Sequence, residues 1–386
     1  MKIIHLCLAN YYIDNYGYQE NIIAKMHKIQ GHQVYIIAST ETYLDNKTIG
    51  QINPSDYLSN DGIHITRLAY SNFLPNKIVR KLRIYKELYN NLEKINPDII
   101  FIHGPQFLSI TSITKYLKSN KKTKVYVDSH SDTINSAKNW FSKNILHKII
   151  YRWCTLQIAP FTNFFWSTLP IRTKFLIDIY KIPKEKIKLL EFGADDTLFD
   201  INKKNAIRSN IRKKLGVEED DFIIITGGKI DQRKNIHILI DAFNKIANQK
   251  IKLIIFGTPN DEMKYLFDKI NKNKNIHYLG WQNQEIIYNL LLSSDLGFFP
   301  GTHSVLWEQC CGVGLPCVFK KWDDIQHVDI GGNCRFIDDI SIDNIISEID
   351  FIFNNKKTYK RMLDISLEKC INHFSFYNIA KRSIEL

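Results

Sequence analysis

The sequence is short of the features that mark a membrane-spanning, exported or disulfide-stapled chain. No stretch approaches the roughly 18 consecutive apolar residues that a membrane-crossing helix needs,. The opening, MKIIHLCLANYY, has only a brief apolar run before polar residues and Asp14. A signal peptide asks for a longer apolar core and a small-residue cleavage site. The opening therefore reads as a buried first strand, in a chain that stays in the cytoplasm. The seven cysteines (Cys7, Cys154, Cys310, Cys311, Cys317, Cys334 and Cys370) are scattered, odd in number and without a C-x-x-C pair. That spacing points to neither a disulfide framework nor a zinc site. They read as small buried residues in a reducing compartment, Cys310 and Cys311 included. No D-x-D stands after a strand as a metal site would want, and no internal repeat or low-complexity tract stands out.

What is present fits two globular domains. A chain of 386 residues suits two domains better than one,. Hydrophobic residues at 44 % and charged residues at 24 % leave material for two buried cores,. The net charge of +12 favours anionic partners, such as phosphates or acidic lipid surfaces,. Lysine is abundant throughout, alongside Ile and Asn, so a general compositional bias explains the excess equally well. The most ligand-like cations sit in a strand–turn–helix, not in a basic stripe interleaved with aromatics, which argues against a nucleic-acid partner.

Short β-branched runs recur along the chain: KIIHLCLA, QVYIIAS, DIIFIHG, KVYVDSH, TLQIAPF, KIKLLEFG, FIIITGG, IKLIIFG, NIHYLG, LGFFP and PCVFK. Between most of them lie segments with apolar residues at helical spacing, such as Ile236, Leu239, Ile240, Phe243 and Ile246. Nearly continuous apolar strands, each followed by a helix, predict parallel sheets covered on both faces. Two such series appear, from residue 1 to about 190 and from about 200 to 340, separated by the charged DINKKNAIRSNIRKKLGVEEDD,. The linker falls near Gly193–Asp200. Open α/β sheets bind ligands outside the carboxyl ends of their strands.

Two segments carry the chemistry. In the first, FIIITGG runs into Lys229-Ile230-Asp231-Gln232-Arg233-Lys234-Asn235 and then a helix. Paired glycines let backbone approach a ligand, and the helix start offers N–H groups to an anion. Lys229 and Lys234 can converge on one pyrophosphate as point charges; taken alone, the same loop also reads as a solvated surface turn. In the second, a strand ends at Pro300, a polar turn follows, and a helix predicted from about Ser304 to Gly314 carries Glu308 one turn in. A carboxylate there can accept two hydrogen bonds from a ribose diol, or serve only as a helix-start acid favoured by the dipole.

In order and spacing, these segments and several others resemble the retaining glycosyltransferases of family 4, a GT-B family. The resemblance runs through Tyr16-Gly17-Tyr18-Gln19-Glu20, Gly31-His32-Gln33-Val34, Pro97-Asp98-Ile99-Ile100 with His103, and His130 in VDSHSD. It continues through Glu191-Phe192-Gly193-Ala194-Asp195 with Phe199, the Lys229/Lys234 loop, Phe256-Gly257, Leu279-Gly280-Trp281, Glu308 with Gly314 and Pro316, and Phe374-Ser375-Phe376. It implies an α/β GT-B fold of two doubly wound Rossmann-like domains facing across a cleft. The first, residues 1–193, would bind the acceptor and the second, 200–360, the nucleotide sugar, with a helix in 361–386 crossing back to the first.

The resemblance also implies roles. Lys229 and Lys234 would neutralise the diphosphate, helped by Gly228, Gly257 and the backbone N–H groups of Ser304 and Val305. Gly17 and Gln19 would approach from the first domain, Glu308 would hold the ribose, Trp281 would meet the base and His130 would face the acceptor over the sugar. The implied reaction moves a sugar from a nucleoside-diphosphate donor, with UDP favoured, to a glycan or lipid-linked acceptor in bacterial surface-glycan assembly, with no metal and no cofactor. One departure stands out. The family has two glutamates eight apart, whereas the residue eight before Glu308 is Pro300, in a shortened loop. His303 is the nearest polar replacement, as a sugar contact or a β-phosphate ligand. A GT-B sugar-nucleotide epimerase and an inactive sugar-binding relative remain rival readings. Finally, Phe73–Lys94 and Ala137–Trp153 interleave Lys and Arg with aromatic and aliphatic residues. Such segments suit either packing on a domain core or peripheral contact with an anionic membrane surface, here the inner face of the cell membrane.

Overall fold

The computed structural model describes residues 1–45, 48–132, 136–137 and 139–385. Lys138, one of the basic residues of the second amphipathic stretch, lies outside them. The chain divides into two compact units, Met1–Glu191 with Ile379–Leu386, and Phe192–Asn378. The sequence places the returning segment at 361; the division instead leaves residues 361–378 with the second unit, and the boundary falls inside the helix Phe376–Glu385.

In the first unit the strands are β1 (Lys2–Cys7), β2 (Gln33–Ser39), β3 (Glu41–Asp45), β4 (Thr48–Gln51), β5 (Ser55–Leu58), β6 (His64–Leu68), β7 (Ile99–His103), β8 (Lys124–Ser129), β9 (Phe164–Ser167) and β10 (Ile187–Leu189). Eight of them form one sheet in the order β10-β9-β8-β7-β1-β2-β6-β5. All pairs in it are parallel except β5 with β6. The small antiparallel pair β3–β4 stands apart. Burial follows from helices on both faces: Ile4 and Leu6 enter one core and Cys7, Val34 and Ile36 the other,.

The second unit holds β11 (Phe222–Gly227), β12 (Ile251–Phe256), β13 (Ile276–Tyr278), β14 (Leu296–Phe299), β15 (Cys317–Lys320) and β16 (Cys334–Ile337). They form a parallel sheet in the order β13-β12-β11-β14-β15-β16. Ile223 and Ile225 face one core and Ile224 the other. Strand order reverses between β1 and β7 in the first unit and between β11 and β14 in the second. At such a point the loops leave toward opposite faces and open a crevice.

One strand reading needs correction. TLQIAPF reads as a strand from its β-branched and apolar residues, but Arg152–Ile158 is α-helical and continues a wide π-type run over Ser142–Tyr151. Cys154, Thr155 and Ile158 are buried at helical spacing, and the Thr155 hydroxyl donates to the Tyr151 carbonyl. The helical context before the segment overrides its β propensity. All seven cysteines are buried free thiols.

Candidate active site

In the second unit, both sequence segments leave the sheet at its reversal point: the loop 227–235 follows β11, and the loop 300–305 follows β14. Gly257, after β12, has φ +116°, and a Cβ there would lie 1.8 Å from the Gly228 carbonyl oxygen. Gly228 itself has φ +102°. Only glycine accommodates both demands, positive φ and backbone-to-backbone approach.

The two loops are joined backbone to backbone. The Thr302 N–H donates to the Arg233 carbonyl at 3.0 Å, and the Asn235 amide donates to the Pro300 carbonyl at 3.0 Å. The Lys234 ammonium donates to the carbonyls of Thr302 at 2.8 Å and His303 at 3.1 Å. Two of its three protons are thus engaged in fixing the second loop, and the third remains for an anion. Burial pushes the Lys234 ammonium down to about 8. Lys229 is exposed. Among the described residues, the N–H groups of Ser304 and Val305 have no hydrogen-bond acceptor, as suits an anion site,. The helix after them is shorter than the sequence suggests, Leu306–Gly312. It ends before Gly314, which takes φ +73°.

Glu308 sits in this short helix with its side chain wholly buried. Its Oε1 accepts the Nε2–H groups of His303 at 2.8 Å and His327 at 2.7 Å. A carboxylate oxygen only accepts, so both imidazoles carry a proton on Nε2. Burial alone would raise the Glu308 carboxyl, but the two imidazoles outweigh it and hold it at about 2. Glu308 Oε2 and His327 Nδ1 are buried without partners among the described residues. Oε2 is therefore the atom that can answer a diol, and it is out of solvent reach in the structure, so the surrounding loop must yield to admit one. The His303 ring also stands edge-on to buried Trp307, at 5.2 Å between centroids. Its Nε2 is thus turned onto Glu308 and not onto solvent. His327 went unnoticed in the sequence because IQHVDIGG carries no motif. The three ligand atoms of His303, Glu308 and His327 lie within 4.8 Å of one another, the one such group among the described residues. Two histidines and a carboxylate could hold a divalent metal, although the same nitrogens here donate their protons to Oε1. Trp281 follows β13 and is 73 % exposed, open to stacking.

The first unit places Gly17 on an exposed loop after β1. Buried Arg67 anchors that loop by bonding the Tyr12 carbonyl at 2.8 Å and Asp14 Oδ2 at 2.9 Å. Gln19, the first residue of the helix Gln19–Ile29, is 4 % exposed, and both polar atoms of its amide lack partners among the described residues. A buried amide without partners costs stability, so its retention suits a ligand contact.

His130 lies 3.5 Å from Asp128, the last member of a buried chain of imidazoles. His27 Nε2 bonds the Ala380 carbonyl at 2.9 Å, His5 Nε2 meets His27 Nδ1 at 3.1 Å, His103 Nε2 meets His5 Nδ1 at 2.9 Å, and His103 Nδ1 meets Asp128 Oδ2 at 2.6 Å. Because a carbonyl can only accept, His27 donates to Ala380, His5 in turn to His27 and His103 to His5, while at the other end His103 Nδ1–H donates to Asp128,. Neutral His27 and His5 fit this order, and His103 carries the second proton against the Asp128 carboxylate. Burial pushes His27 down to about 3 and His5 well below the usual range. Burial also opposes the charges on His103 and Asp128, but their pairing wins, raising His103 and holding Asp128 low with help from His130.

Residues 207–365 match the family model for glycosyl transferases group 1. The chain is 23 % identical over 218 residues to an uncharacterized glycosyltransferase, MJ1607, of Methanocaldococcus jannaschii, covering 54 % of this chain and 55 % of that one. It is 21 % identical over 192 residues to the lipopolysaccharide 1,2-N-acetylglucosaminetransferase of Salmonella typhimurium, covering 45 % and 50 %. The chain thus spans about half the length of these curated relatives. The crystal structure of Anabaena Alr3699/HepE in complex with UDP superposes with a TM-score of 0.67 at 14 % identity, over 99 % of this chain and 98 % of that one. The fold is GT-B.

Proposed function

We propose that this chain is a retaining glycosyltransferase that moves a sugar from a nucleoside diphosphate, UDP before other carriers, to a hydroxyl of a glycan or lipid-linked acceptor in surface-glycan assembly. The observation that carries this reading is the convergence, at the reversal point of the second sheet, of the Lys234 ammonium, glycine backbone, the Ser304 and Val305 N–H groups and the Glu308 carboxylate. The UDP bound to the Anabaena protein and the lipopolysaccharide substrate of the Salmonella relative support the donor and acceptor classes. Lys229 and Lys234 neutralise the diphosphate, Glu308 Oε2 takes the ribose diol and Trp281 stacks on the base. His303 acts through Glu308, whose carboxylate it orients together with His327. The bond from the anomeric carbon to the β-phosphate oxygen breaks and a bond to the acceptor oxygen forms on the same face. The acceptor proton passes to the β-phosphate, and His130 orients the acceptor. The protein's part is positioning and charge stabilisation, and no metal is required. Pro300 offers neither N–H nor polar side chain, so we infer a donor that does not depend on the usual hydroxyl contacts, such as a deoxy or N-acylated amino sugar.

Calorimetry with UDP tests the site. Lys234→Ala should weaken binding by roughly 1.5–3 kcal/mol and nearly abolish transfer, in a chelator-treated enzyme whose wild-type rate is unaffected. Unchanged affinity in both Lys229→Ala and Lys234→Ala sinks the reading. Conversion of a UDP-sugar without any acceptor would favour the epimerase.

Peripheral membrane contact belongs to the same proposal. The two basic stretches meet in the first unit, where the Lys81 ammonium sits 4.8 Å from the Phe141 ring centroid and the Tyr151 hydroxyl bonds the Lys81 carbonyl. Within the two stretches Phe73, Ile78, Trp140, Phe141, Ile149 and Trp153 are exposed. Aromatic and aliphatic groups beside lysines suit an anionic lipid surface.

A further inference from the structure

The carboxyl end of β1 opens onto a cavity of about 460 Å³ that the donor site does not use. Leu8, Ala9 and Asn10 line it together with Lys77, Arg80, Lys81 and Arg83, against a single acid, Glu41. That acid is already paired, since Arg80 Nε donates to Glu41 Oε1 at 2.8 Å. Arg83 donates to the Gln106 carbonyl at 2.7 Å and stacks on Tyr151, with its guanidinium carbon 5.5 Å from the ring centroid. Among the described residues, neither Lys77, Lys81 nor Arg83 has a carboxylate partner. Three uncompensated cations around one concavity repel one another and focus a positive potential into it. The arrangement is relieved by an anion, and an arginine fork with two ammonium groups suits phosphate oxygens. The volume exceeds that of a phosphate alone, so what binds there carries a further group.

We propose that this cavity binds a phosphate or pyrophosphate group carried by the acceptor. The inference rests on the transferase reading and names its acceptor class as phosphorylated. A polyanion here anchors the acceptor at the carboxyl edge of the first sheet, where open α/β sheets take their ligands. The exposed Phe141 ring, 4.8 Å from the Lys81 ammonium, offers an apolar surface to a chain on the same phosphate.

The test is calorimetric titration of inorganic pyrophosphate into protein saturated with UDP, in wild type and in Lys77→Ala/Lys81→Ala. Both lysines are exposed, so the fold should survive their removal. The expected result is one further anion bound by the wild type, at least tenfold weaker binding in the double variant, and UDP affinity unchanged. A phosphorylated sugar acceptor should show the same loss as a raised KM with kcat retained. Absence of pyrophosphate binding, or equal binding by both proteins, overturns the proposal. Phosphatidylcholine vesicles with and without phosphatidylglycerol separate the sources. If the double variant loses only vesicle binding, the lysines serve a charged membrane and the cavity is no phosphate site. If UDP fails to bind while the pyrophosphate effect of the two lysines persists, the donor reading falls and the anion site stands.

Discussion

Lys234 is held by its neighbours in a state that its partner must reinforce. Burial drives its ammonium to about 8, against an ordinary value of 10.5. The proton is present below that pH and lost above it, while the diphosphate is fully ionised from about pH 7 upward. Affinity for UDP should therefore be flat between pH 7 and 8 and then fall by up to about tenfold per pH unit. Calorimetry across pH 7–10 checks this; a flat response to pH 10 would show that Lys234 does not meet the diphosphate. At Glu308, two imidazoles hold the charge of a wholly buried carboxylate. Removing one donor strands part of that charge. If Glu308 takes the ribose as proposed, His327→Ala should weaken UDP by roughly 1–3 kcal/mol and 2′-deoxy-UDP by less. Equal losses for the two nucleotides would reduce Glu308 to a structural group.

Among elements, the loops after β11, β12 and β14 act as one platform. Gly257 shows why: its φ of +116° and the 1.8 Å approach to Gly228 oxygen leave no room for a side chain. Gly216, the C-cap of the helix Lys204–Leu215, also has positive φ, +65°, but nothing lies within 4 Å of a Cβ placed there. Gly216→Ala should cost roughly 1–2 kcal/mol of left-handed strain, whereas Gly257→Ala should cost more and displace the 227–235 loop. Denaturant melts with UDP titrations on both variants check the contrast; similar costs, with UDP affinity kept, would mean that the platform tolerates separation. The amphipathic stretches were legible as basic and aromatic, but their meeting through Lys81 and Phe141 was not, because contact between segments so far apart in sequence depends on the fold.

The first unit as a whole should be sensitive to acid. His5 and His27 are neutral in the fold and charge near pH 6.5 once unfolded,. Between pH 6.5 and about 3 the unfolded chain binds more protons, so stability falls as pH falls,. Asp128 acts in the same direction, since its depressed carboxyl must be protonated at lower pH still. His103 acts oppositely: its raised value gives stability that is complete below pH 6.5 and is lost as pH rises through the folded value,. We expect the unfolding free energy of the first unit, from urea melts, to drop on going from pH 6.5 to 4, by up to about 1.4 kcal/mol per pH unit for each buried neutral histidine. His27→Gln should flatten that slope; an unchanged slope would show that His27 is not neutral in the fold.

The sequence by itself determined the parts whose physics is local. Apolar runs of strand length became β11 and β12, and Gly228 and Gly257 marked the tight approaches because only glycine tolerates them. Lys229 and Lys234 after paired glycines, and Glu308 in a helix start, are residue types suited to phosphate and ribose, and they carry the proposed site. Tertiary structure decided which side chains meet. His103 faces Asp128 because β7 and β8 pair in that register, and His5 reaches His103 because β1 lies next to β7. His327 joins Glu308 through a loop with no motif, and Thr155–Ile158 of TLQIAPF became helical because the residues before them already were. Hydrogen bonds need partners placed to a few tenths of an ångström, and for residues distant in sequence that placement comes from strand register and packing, which residue types alone do not encode.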